Sequence, residues 1–305
     1  MLNVDMTSIE DQWLQCAAHM AAAGKAAAQP LYGTSPGRVA LGRGAGGDET
    51  LEIDRACERA IQEVLAREAP APYALVSEES GIAGPEDAPW RVVVDPLDGS
   101  LNAKRGLEPF GASIAVARGH TLGDVAVAYI EDYTRPRCYA ATKGTGLASA
   151  GGPAGVPTVP AQPVLPDSSR FASDLVEIVL LEAGRPDRHH FAYHDLSAMG
   201  AVGRSGDMRI RQIGSLALSL CFVAVGAADI LVAAVRSRSV DIAAGLLILR
   251  EAGGGAAALC EQDLGAQPLD LQKRLAFVAW RAGLDSSEII SRAGELGRTL
   301  LVAGP

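Results

Sequence analysis

The sequence predicts an α/β fold in which two halves share one cleft, and three observations support that prediction. Short apolar runs typical of buried strands alternate with longer segments whose apolar residues recur at helical spacing. A segment rich in Gly and Pro, Ala148 to Pro166, separates the two halves. Two of the apolar runs end in acidic residues, at the strand edge where open α/β sheets place ligands. We therefore divide the chain into residues 1–147 and 148–305.

The elements of the first half follow from residue spacing. Residues 7–29 are rich in Ala, and Trp13, Leu14 and Ala17 share one face of the helix expected there. The glycine-rich segment from Gly33 to Gly47 is expected to be a loop. The remaining elements predicted in this half are a short strand at Val39–Leu41, a helix at Thr50–Arg67, and strands at Tyr73–Val76, Arg91–Val94, Ala112–Ala117 and Val125–Ile130.

The second half repeats the alternation of strands and helices. A strand is predicted at Ile178–Leu181 and a helix at Ile242–Ala252, which Gly253 ends. The apolar stretch Ile213–Val235 has nearly the length of a membrane span, but Gly226 to Asp229 divide it into two pieces, each shorter than about 20 residues. We interpret it as a buried helix followed by a buried strand at Ile230–Val235.

Composition narrows the possible functions. The 305 residues are 48% hydrophobic and 21% charged, which is typical of a globular protein. The net charge is −9, from 27 Lys and Arg against 36 Asp and Glu, which argues against binding to nucleic acid or an anionic membrane. Five separated cysteines form no Cys-x-x-Cys pair, so neither a zinc knuckle nor a disulfide framework is indicated. The first 15 residues lack a secretory pattern, and we expect a cytoplasmic protein.

The segment from Val92 to Ser100 is the most informative. An apolar strand leads into Asp95 and Asp98, two carboxylates three residues apart. Gly99 allows backbone N–H groups to approach a ligand, and Ser100 adds a hydroxyl. Carboxylate and carbonyl oxygens are the ligands that Mg²⁺ prefers, and the N–H groups beyond them could receive a phosphate. The alternative is an ordinary surface turn, because Asp, Pro and Gly are common turn residues.

Two further acidic segments favour the site over the turn. Glu78 lies in an acidic strand end, Ser77 to Ser80, and Asp241 lies at the start of a predicted helix. Asp241 could be a helix N-cap, or the third corner of a metal site that joins both halves of the chain. The Asp-x-Asp-Gly phosphatase motif is excluded because two residues separate Asp95 from Asp98. A P-loop is absent from the sequence.

Several motifs together resemble one family. Asp95-Pro-Leu-Asp-Gly-Ser100, followed by Asn102, resembles the first motif of the inositol monophosphatase family, and Asp241-Ile-Ala-Ala-Gly245, followed by Glu251-Ala-Gly-Gly254, resembles the second. Ser77 to Ser80, Thr50 to Asp54, and Arg211 to Asp229 are similar to further family elements, in family order over residues 46–255. The resemblance implies a layered αβαβα sandwich of the inositol monophosphatase / fructose-1,6-bisphosphatase type, and Mg²⁺-dependent, lithium-sensitive phosphomonoesterase activity in a homodimer.

The resemblance also implies roles for individual residues. Glu78, Asp95 and the Leu97 carbonyl would hold one Mg²⁺; Asp95, Asp98 and Asp241 would hold a second, and a third on Glu78 is an open alternative. The Gly99 and Ser100 N–H groups would receive the phosphate. Ser100, relayed to Asp54 through Thr50 or its neighbours, would orient a metal-activated water for direct attack.

The substrate is less constrained than the chemistry. Ala233 to Arg236 lacks the acidic residue that inositol phosphatases use on inositol, and Arg236 ahead of the second motif resembles the archaeal-type branch. The first expectation is inositol 1-phosphate, a small anionic phosphoester. The alternatives are fructose 1,6-bisphosphate, adenosine 3′,5′-bisphosphate or NADP, or a non-catalytic binding protein.

Other polar residues have two interpretations each. Lys104 and Arg105 could contact substrate or form a solvated pair, and Arg236 is a further candidate substrate contact. Arg204, Arg209 and Arg211 could line the cleft on the substrate side, although surface charge is favoured for these three. A metal cluster at His189, His190 and His194 is disfavoured against a loop, because no helical pattern supports its geometry.

Overall fold

The computed structural model describes residues 8–147, 162–163, 175–182, 208–259 and 263–292. Its helices are α1 (Ile9–Ala28), α2 (Glu52–Glu68), α3 (Ser100–Arg105), α4 (Leu216–Ala224) and α5 (Ser239–Glu251), and residues 286–292 are also helical. The strands are β1 (Ala40–Arg43), β2 (Glu49–Leu51), β3 (Tyr73–Ser77), β4 (Gly81–Ala83), β5 (Trp90–Asp98), β6 (Gly111–Ala117), β7 (Val125–Asp132), β8 (Arg137–Thr142), β9 (Gly146–Leu147), β10 (Gln162–Pro163), β11 (Ile178–Glu182), β12 (Arg209–Arg211), β13 (Ile230–Ser237), β14 (Gly255–Ala258) and β15 (Leu275–Trp280).

Two mixed sheets form the framework, beside a small hairpin of β1 and β2. The larger sheet has the order β10-β8-β7-β6-β5-β3-β4, with β9 beside β8, and its neighbours are antiparallel except for the parallel pairs β3–β5 and β8–β10. The smaller sheet has the order β12-β11-β13-β15-β14, in which β11 is parallel to both of its neighbours. Apart from β10, the larger sheet comes from the first half of the chain and the smaller sheet from the second.

Alternating burial along the strands explains the layers. In β5, Val92 and Val94 belong to the core beneath α1 and α2, whereas Val93 belongs to the core shared with α4 and α5. In β13, Leu231 faces that same shared core. Val232 packs on the opposite side with Ile289, which lies in the helical segment 286–292. The layers therefore run helix, sheet, helix, sheet, helix, and the predicted layered α/β sandwich is confirmed.

Several element boundaries differ from the predictions. Helix α2 begins at Glu52 rather than Thr50, because Thr50 and Leu51 pair with β1. Helix α4 begins at Leu216 rather than Ile213, because Gly214 has a φ of +79° and Ser215 is the N-cap. Helix α5 begins three residues earlier than expected, at Ser239. The predicted turn after Val94 is a continuation of β5 to Asp98, with an irregularity in its pairing with β6.

The bulk properties agree with the sequence where the structure describes them. Cys16, Cys57, Cys138 and Cys221 are buried and free of disulfides. None of the helices in the described segments is both long and apolar enough to cross a membrane. The Gly- and Pro-rich segment from Ala148 to Pro166 lies outside the described residues, except for the short strand β10.

Candidate active site

Three carboxylates meet at one edge of the larger sheet. Glu78, Asp95 and Asp241 each offer an oxygen, and these oxygens all lie within 4.8 Å of one another. Asp95 is buried, and the side chains of Glu78 and Asp241 each expose 14% of their surface. The sequence predicts all three as metal ligands, and the fold brings them together; we call them the carboxylate cluster.

Strand register accounts for this meeting. Strands β3 and β5 are parallel, with Ser77 paired to Val94, so Glu78 and Asp95 follow side by side at the same sheet edge. Helix α5 packs on β5, β6 and β7 and begins at that edge. Asp241 lies in its first turn, where the free N–H groups and the helix dipole favour a negative charge. Its carboxylate accepts the backbone N–H of Arg238 at 2.7 Å, so Asp241 caps the helix and also joins the cluster.

Burial and mutual repulsion change the acidity of the cluster. Burial, together with the charges of Asp241 and Glu79, raises the pKa of Glu78 to about 8, although Arg238 opposes the shift. Burial and the carboxylates of Glu78, Asp98 and Asp241 hold the pKa of Asp95 well above its ordinary value. The cluster therefore favours a proton or a cation in its midst.

Arg238 supplies a cation from the chain itself. Its Nη2 lies 2.6 Å from Glu78 Oε1 and 3.0 Å from Asp241 Oδ1, and its Nη1 lies 3.0 Å from Asp48 Oδ2. Burial alone would lower the pKa of this guanidinium, but Asp241 and Glu78 raise it above its ordinary value. Arg238 is therefore charged and only 8% exposed, in direct contact with two of the three cluster carboxylates.

Asp98 faces a different partner. Its Oδ2 accepts the hydroxyl of Ser215 at 2.5 Å and the N–H of Ala217 at 2.8 Å, so it helps to cap α4. Burial and the neighbouring Asp241 raise the pKa of Asp98 to about 7, while the Ser215 hydroxyl lowers it. Asp98 is close enough to interact with Asp241 but is outside the group of three. Its role as a metal ligand stays a prediction.

The loop before α4 is held from both halves of the chain. The Asn102 side chain donates to the Ile213 carbonyl at 2.9 Å. The buried Glu182 carboxylate accepts the N–H groups of Ile213 and Gly214, at 3.0 and 3.1 Å, and the hydroxyl of Ser219 at 2.9 Å. These contacts fix the residues that present Ser215 to Asp98.

A second polar network lies behind Glu78. The buried Glu58 carboxylate accepts the Ser77 hydroxyl and the Ser80 hydroxyl, each at 2.6 Å. The Thr50 hydroxyl is hydrogen-bonded to Glu79, the residue after Glu78. Both ends of the acidic segment are thereby tied to the region around α2, which fixes the direction of the chain at Glu78.

Asp54 is buried at the start of α2. Its Oδ2 accepts the N–H of Leu51 at 2.7 Å, and it exposes 3% of its surface. Burial is the main reason that the pKa of Asp54 is raised to about 7, and Glu79 adds to the shift while Lys104 opposes it. The water-orienting relay from Ser100 to Asp54 through Thr50 stays a prediction.

The predicted phosphate-binding residues begin α3. Gly99 has a φ of +91°, and a Cβ there would lie 3.1 Å from both the Gly214 carbonyl and Phe110. Ser100 opens the helix, and the first N–H groups of a helix have no partner within it. Leu97 is buried, and its N–H donates to Asp95 Oδ1 at 2.9 Å. The roles of the Gly99 and Ser100 N–H groups and of the Leu97 carbonyl stay predictions.

The predicted substrate contacts are spread over several places. Lys104 forms an ion pair with Glu49, with Nζ 3.5 Å from the carboxylate, and Arg105 is exposed at the end of α3. Arg211 is exposed in β12 and lines a cavity of about 460 Å³, together with Tyr139 and Phe222; none of the cluster carboxylates is among the described residues that line it. Arg236 lies in β13, but its side chain lies outside the described part of the chain. The same is true of Arg204 and of His189, His190 and His194.

The donor set fits a hard divalent cation. Only oxygen atoms face one another in the cluster, at separations that one small ion could span, and Mg²⁺ binds such carboxylates. Burial and the neighbouring carboxylates raise the pKa values of Glu78 and Asp95, so a cation bound between them would stabilise their ionised forms.

Sequence reasoning missed two residues at the site. Arg238 is one, although a positive residue one turn before Asp241 at a helix N-terminus is electrostatically unfavourable, and that is a readable signal. Glu58 is the other. Glu58 lies four residues after Asp54 and therefore on the same side of α2. An acidic residue at a buried position, where a hydrophobic one is expected, is the signal.

Comparisons with known proteins give the same family as the motifs. A sequence profile described as the inositol monophosphatase family matches residues 10–293. The chain is 31% identical over 253 residues to a fructose-1,6-bisphosphatase/inositol-1-monophosphatase from Methanothermobacter thermautotrophicus, covering 79% of this chain and 82% of the relative. It is 34% identical over 208 residues to the Nus factor SuhB of Pasteurella multocida, covering 68% of this chain and 70% of the relative.

The fold comparison gives the same result. A crystal structure described as an inositol monophosphatase–fructose 1,6-bisphosphatase superposes with a TM-score of 0.71 and covers 93% of this chain and 99% of its own. Its sequence identity is 21%, so this likeness concerns the fold. The similarity to archaeal dual-substrate relatives that the motifs suggest is confirmed.

Proposed function

The chain belongs to the inositol monophosphatase family of phosphatases, and on that premise we propose that it is a Mg²⁺-dependent phosphomonoesterase for a small polyol or sugar phosphate, with inositol 1-phosphate as the first candidate. The observation that carries the proposal is the cluster of Glu78, Asp95 and Asp241, three carboxylates that need a cation at the edge where both halves of the chain meet. Direct attack of water on phosphorus requires no covalent intermediate on the protein.

The residues proposed to hold Mg²⁺ are Glu78, Asp95 and Asp241, joined by Asp98 and the Leu97 carbonyl. When bound, Mg²⁺ supplies an activated water and stabilises negative charge on the phosphate and on the leaving oxygen. Two or three ions are expected from the family resemblance. The Asp98 carboxylate would take part while it also accepts the Ser215 hydroxyl.

The chain's own residues orient the other reactants. The N–H groups of Gly99 and Ser100 would bind the phosphate oxygens, as expected at the start of a helix after a left-handed glycine. The Ser100 hydroxyl, linked to Asp54 through Thr50 or its neighbours, would orient the attacking water. The pKa of Asp54, raised to about 7 mainly by burial, suits it to accept the proton at the end of this relay.

Fructose 1,6-bisphosphate is the second candidate substrate. The relative from Methanothermobacter is named for both activities, and a second phosphate needs a second cationic contact. Lys104 and Arg105 extend from α3, whose first residues are proposed to bind the reacting phosphate, and we propose them for that role. Adenosine 3′,5′-bisphosphate and NADP are weaker candidates, because aromatic residues that could stack on adenine make up only 5% of the chain.

A non-catalytic role is the alternative of a different class. The relative from Pasteurella is named a Nus factor, not a phosphatase. A binding protein would not need its metal ligands, yet Glu78, Asp95, Asp98 and Asp241 are all present. The net charge of −9 also opposes binding to RNA. The complete acidic set therefore favours catalysis.

Family resemblance supports three further properties: inhibition by lithium, a homodimeric state and a cytoplasmic location. The two halves, residues 1–147 and 148–305, are proposed to form the two sides of the catalytic cleft. Sedimentation of the full chain would test the dimer, and phosphate release in the presence of LiCl would test the inhibition.

The decisive experiment measures phosphate release from inositol 1-phosphate, fructose 1,6-bisphosphate, adenosine 3′,5′-bisphosphate and NADP, each with and without Mg²⁺. We expect Mg²⁺-dependent release, fastest with one of the first two. The absence of release from all four would contradict the proposal and favour the binding protein.

A further inference from the structure

Arg238 forms hydrogen bonds with Glu78 and Asp241, two of the carboxylates that the proposed function assigns to Mg²⁺. Nη2 contacts both Glu78 and Asp241, and Nε lies 3.3 Å from each oxygen of Asp241. The remaining nitrogen, Nη1, donates to Asp48 Oδ2 at 3.0 Å and to the Gly46 carbonyl at 3.4 Å. The guanidinium therefore joins the carboxylate cluster to the loop Gly44–Asp48.

Burial of the Arg238 guanidinium would cost free energy if no opposite charges lay beside it. The side chain is 8% exposed, and a buried charge requires compensation by opposite charges and hydrogen bonds. Arg238 is also the N-cap of α5, where the helix dipole disfavours a cation. The carboxylates of Glu78 and Asp241 supply the compensation. The cluster and the guanidinium thus stabilise each other.

We propose that Arg238 is a displaceable internal counter-ion: its guanidinium neutralises the cluster in the metal-free protein and must leave Glu78 and Asp241 before these carboxylates bind Mg²⁺. The proposal rests on the proposed function, because it assumes that the cluster binds Mg²⁺. It follows that Arg238 weakens Mg²⁺ binding and couples it to the loop Gly44–Asp48.

Two observations support displacement over simultaneous occupancy. Glu78 and Asp241, which accept the guanidinium, belong to the cluster whose oxygens lie within 4.8 Å of one another. A divalent ion held by those oxygens would therefore lie next to a second positive charge. The chain also offers the guanidinium another position. Asp48 lies outside the cluster with 70% of its side chain exposed, and it already holds Nη1. A short movement toward Asp48 keeps one ion pair and frees the cluster.

The rival interpretation treats Arg238 as a permanent strut that keeps Glu78 and Asp241 in position. The two interpretations predict opposite changes in Mg²⁺ affinity. A displaceable counter-ion competes with the metal, so its removal tightens binding. A strut organises the ligands, so its removal weakens binding or leaves it unchanged.

The test is calorimetric titration of Mg²⁺ into the metal-free full-length protein and its variants. We expect Arg238→Gln to bind Mg²⁺ at least about tenfold more tightly than the natural chain, and its melting temperature in EDTA to fall, since the cluster loses its counter-ion. Arg274→Gln is the matched control: Arg274 donates to the same Gly46 carbonyl at 2.8 Å, and its described hydrogen bond does not involve the cluster. Its Mg²⁺ affinity should change by less than about twofold.

The outcomes separate the two proposals. Unchanged or weaker Mg²⁺ binding by Arg238→Gln, with normal binding by the natural chain, overturns the counter-ion proposal alone. No Mg²⁺ binding by the natural chain overturns the metal assignment in the proposed function as well.

A spectroscopic measurement on the natural chain covers the case in which Arg238→Gln fails to fold. The ¹⁵N-labelled Nε–H resonance of Arg238, assigned with Arg238→Lys, should shift in step with Mg²⁺ saturation. A resonance that does not move while Mg²⁺ binds would overturn displacement.

Discussion

The hydroxyl of Ser215 lies 2.5 Å from Asp98 Oδ2, and this contact joins two strongly separated parts of the chain. Asp98 ends a strand of the larger sheet, and Ser215 is the N-cap of α4 in the layer between the sheets. The same carboxylate that caps a helix is thus the one that the motif assigns to a metal. The cap fixes where Asp98 is and limits how freely it can turn toward Asp241.

Replacement of Ser215 by Ala should therefore destabilise the protein by about 1–3 kcal/mol, because a hydrogen bond to a half-buried carboxylate and a helix cap are lost together. Urea unfolding followed by circular dichroism measures the change. Ser8→Ala is the matched control: Ser8 caps α1 in an exposed setting, so its loss should cost about 1 kcal/mol or less. Equal costs for the two variants would contradict a special role for the Asp98 contact.

Asp241→Asn should leave the fold intact and abolish nearly all phosphatase activity. The amide oxygen can still accept the Arg238 N–H that caps α5, but the cluster loses an anionic ligand. We expect kcat/KM to fall by more than about 100-fold, because replacing a residue that only supports a metal ligand already lowers metal affinity or activity by about 10–100-fold. Phosphate release measures the loss, and Asp263→Asn, a change in a separate loop, is the control. Near-normal turnover in Asp241→Asn would refute the site.

Gly99→Ala should be more costly than an ordinary glycine replacement. The new Cβ would be 3.1 Å from the Gly214 carbonyl and from Phe110, in addition to the strain of a positive φ. Gly144→Ala isolates the strain, because Gly144 has a φ of +79° and no atom within 4 Å of the added carbon. We expect a loss of about 1 kcal/mol for Gly144→Ala and of about 2–4 kcal/mol for Gly99→Ala in unfolding experiments. Similar losses would show that the close approach is unimportant.

Asp54 should make stability depend on pH. Its pKa is about 7 in the folded chain, against about 3.9 for an unperturbed Asp, so the folded state binds the proton more tightly. The stability that this proton contributes is complete below about pH 4 and is lost as the pH rises through about 7. Asp54→Asn, which can still accept the Leu51 N–H, should therefore stabilise the protein relative to the natural chain above pH 7, by up to about 4 kcal/mol, and not at pH 4.

Melting temperatures across pH 4–8 in EDTA measure this difference. Asp124→Asn is a control of opposite sign: the Thr121 hydroxyl lowers the pKa of Asp124, so this carboxylate stabilises the folded chain above its unfolded pKa and loses that effect in acid. Asp124→Asn should be destabilising by a nearly constant amount across pH 4–8, because the carboxylate loses its effect only below its unfolded pKa of about 3.9. A pH-independent effect of Asp54→Asn would contradict the burial argument.

Glu58→Ala should impair both stability and turnover. It leaves the Ser77 hydroxyl, in a residue that is 1% exposed, without its carboxylate, at a cost of about 1–3 kcal/mol. Because Ser77 precedes Glu78, we expect kcat to fall by about tenfold with a smaller change in KM. Glu63→Ala on the exposed side of the same helix is the control and should leave both kcat and KM unchanged. A loss of stability without a loss of kcat would limit Glu58 to a structural role.

The fold class and the residues of the carboxylate cluster follow from the sequence alone. Strands such as β5 and β13 are so apolar that both of their faces must be buried. Gly253, with a φ of +83°, ends α5, as a glycine after a helical pattern predicts. The sequence predicts Glu78, Asp95 and Asp241 as one group, because carboxylates at strand ends and at a helix start share one sheet edge. Strand β14 cannot be predicted from the sequence, because it consists of Gly and Ala, which have no preference for a strand.

The partner of each charged residue depends on tertiary contacts. Asp98 caps α4 and Arg238 enters the cluster from one turn before Asp241, while Arg211 lines a cavity elsewhere. These outcomes depend on contacts between residues more than 100 positions apart, such as Asp98 with Ser215 and Arg238 with Glu78. Periodicity reports which face of an element is buried, but the direction of a polar side chain is set by the charges and N–H groups that another element brings beside it.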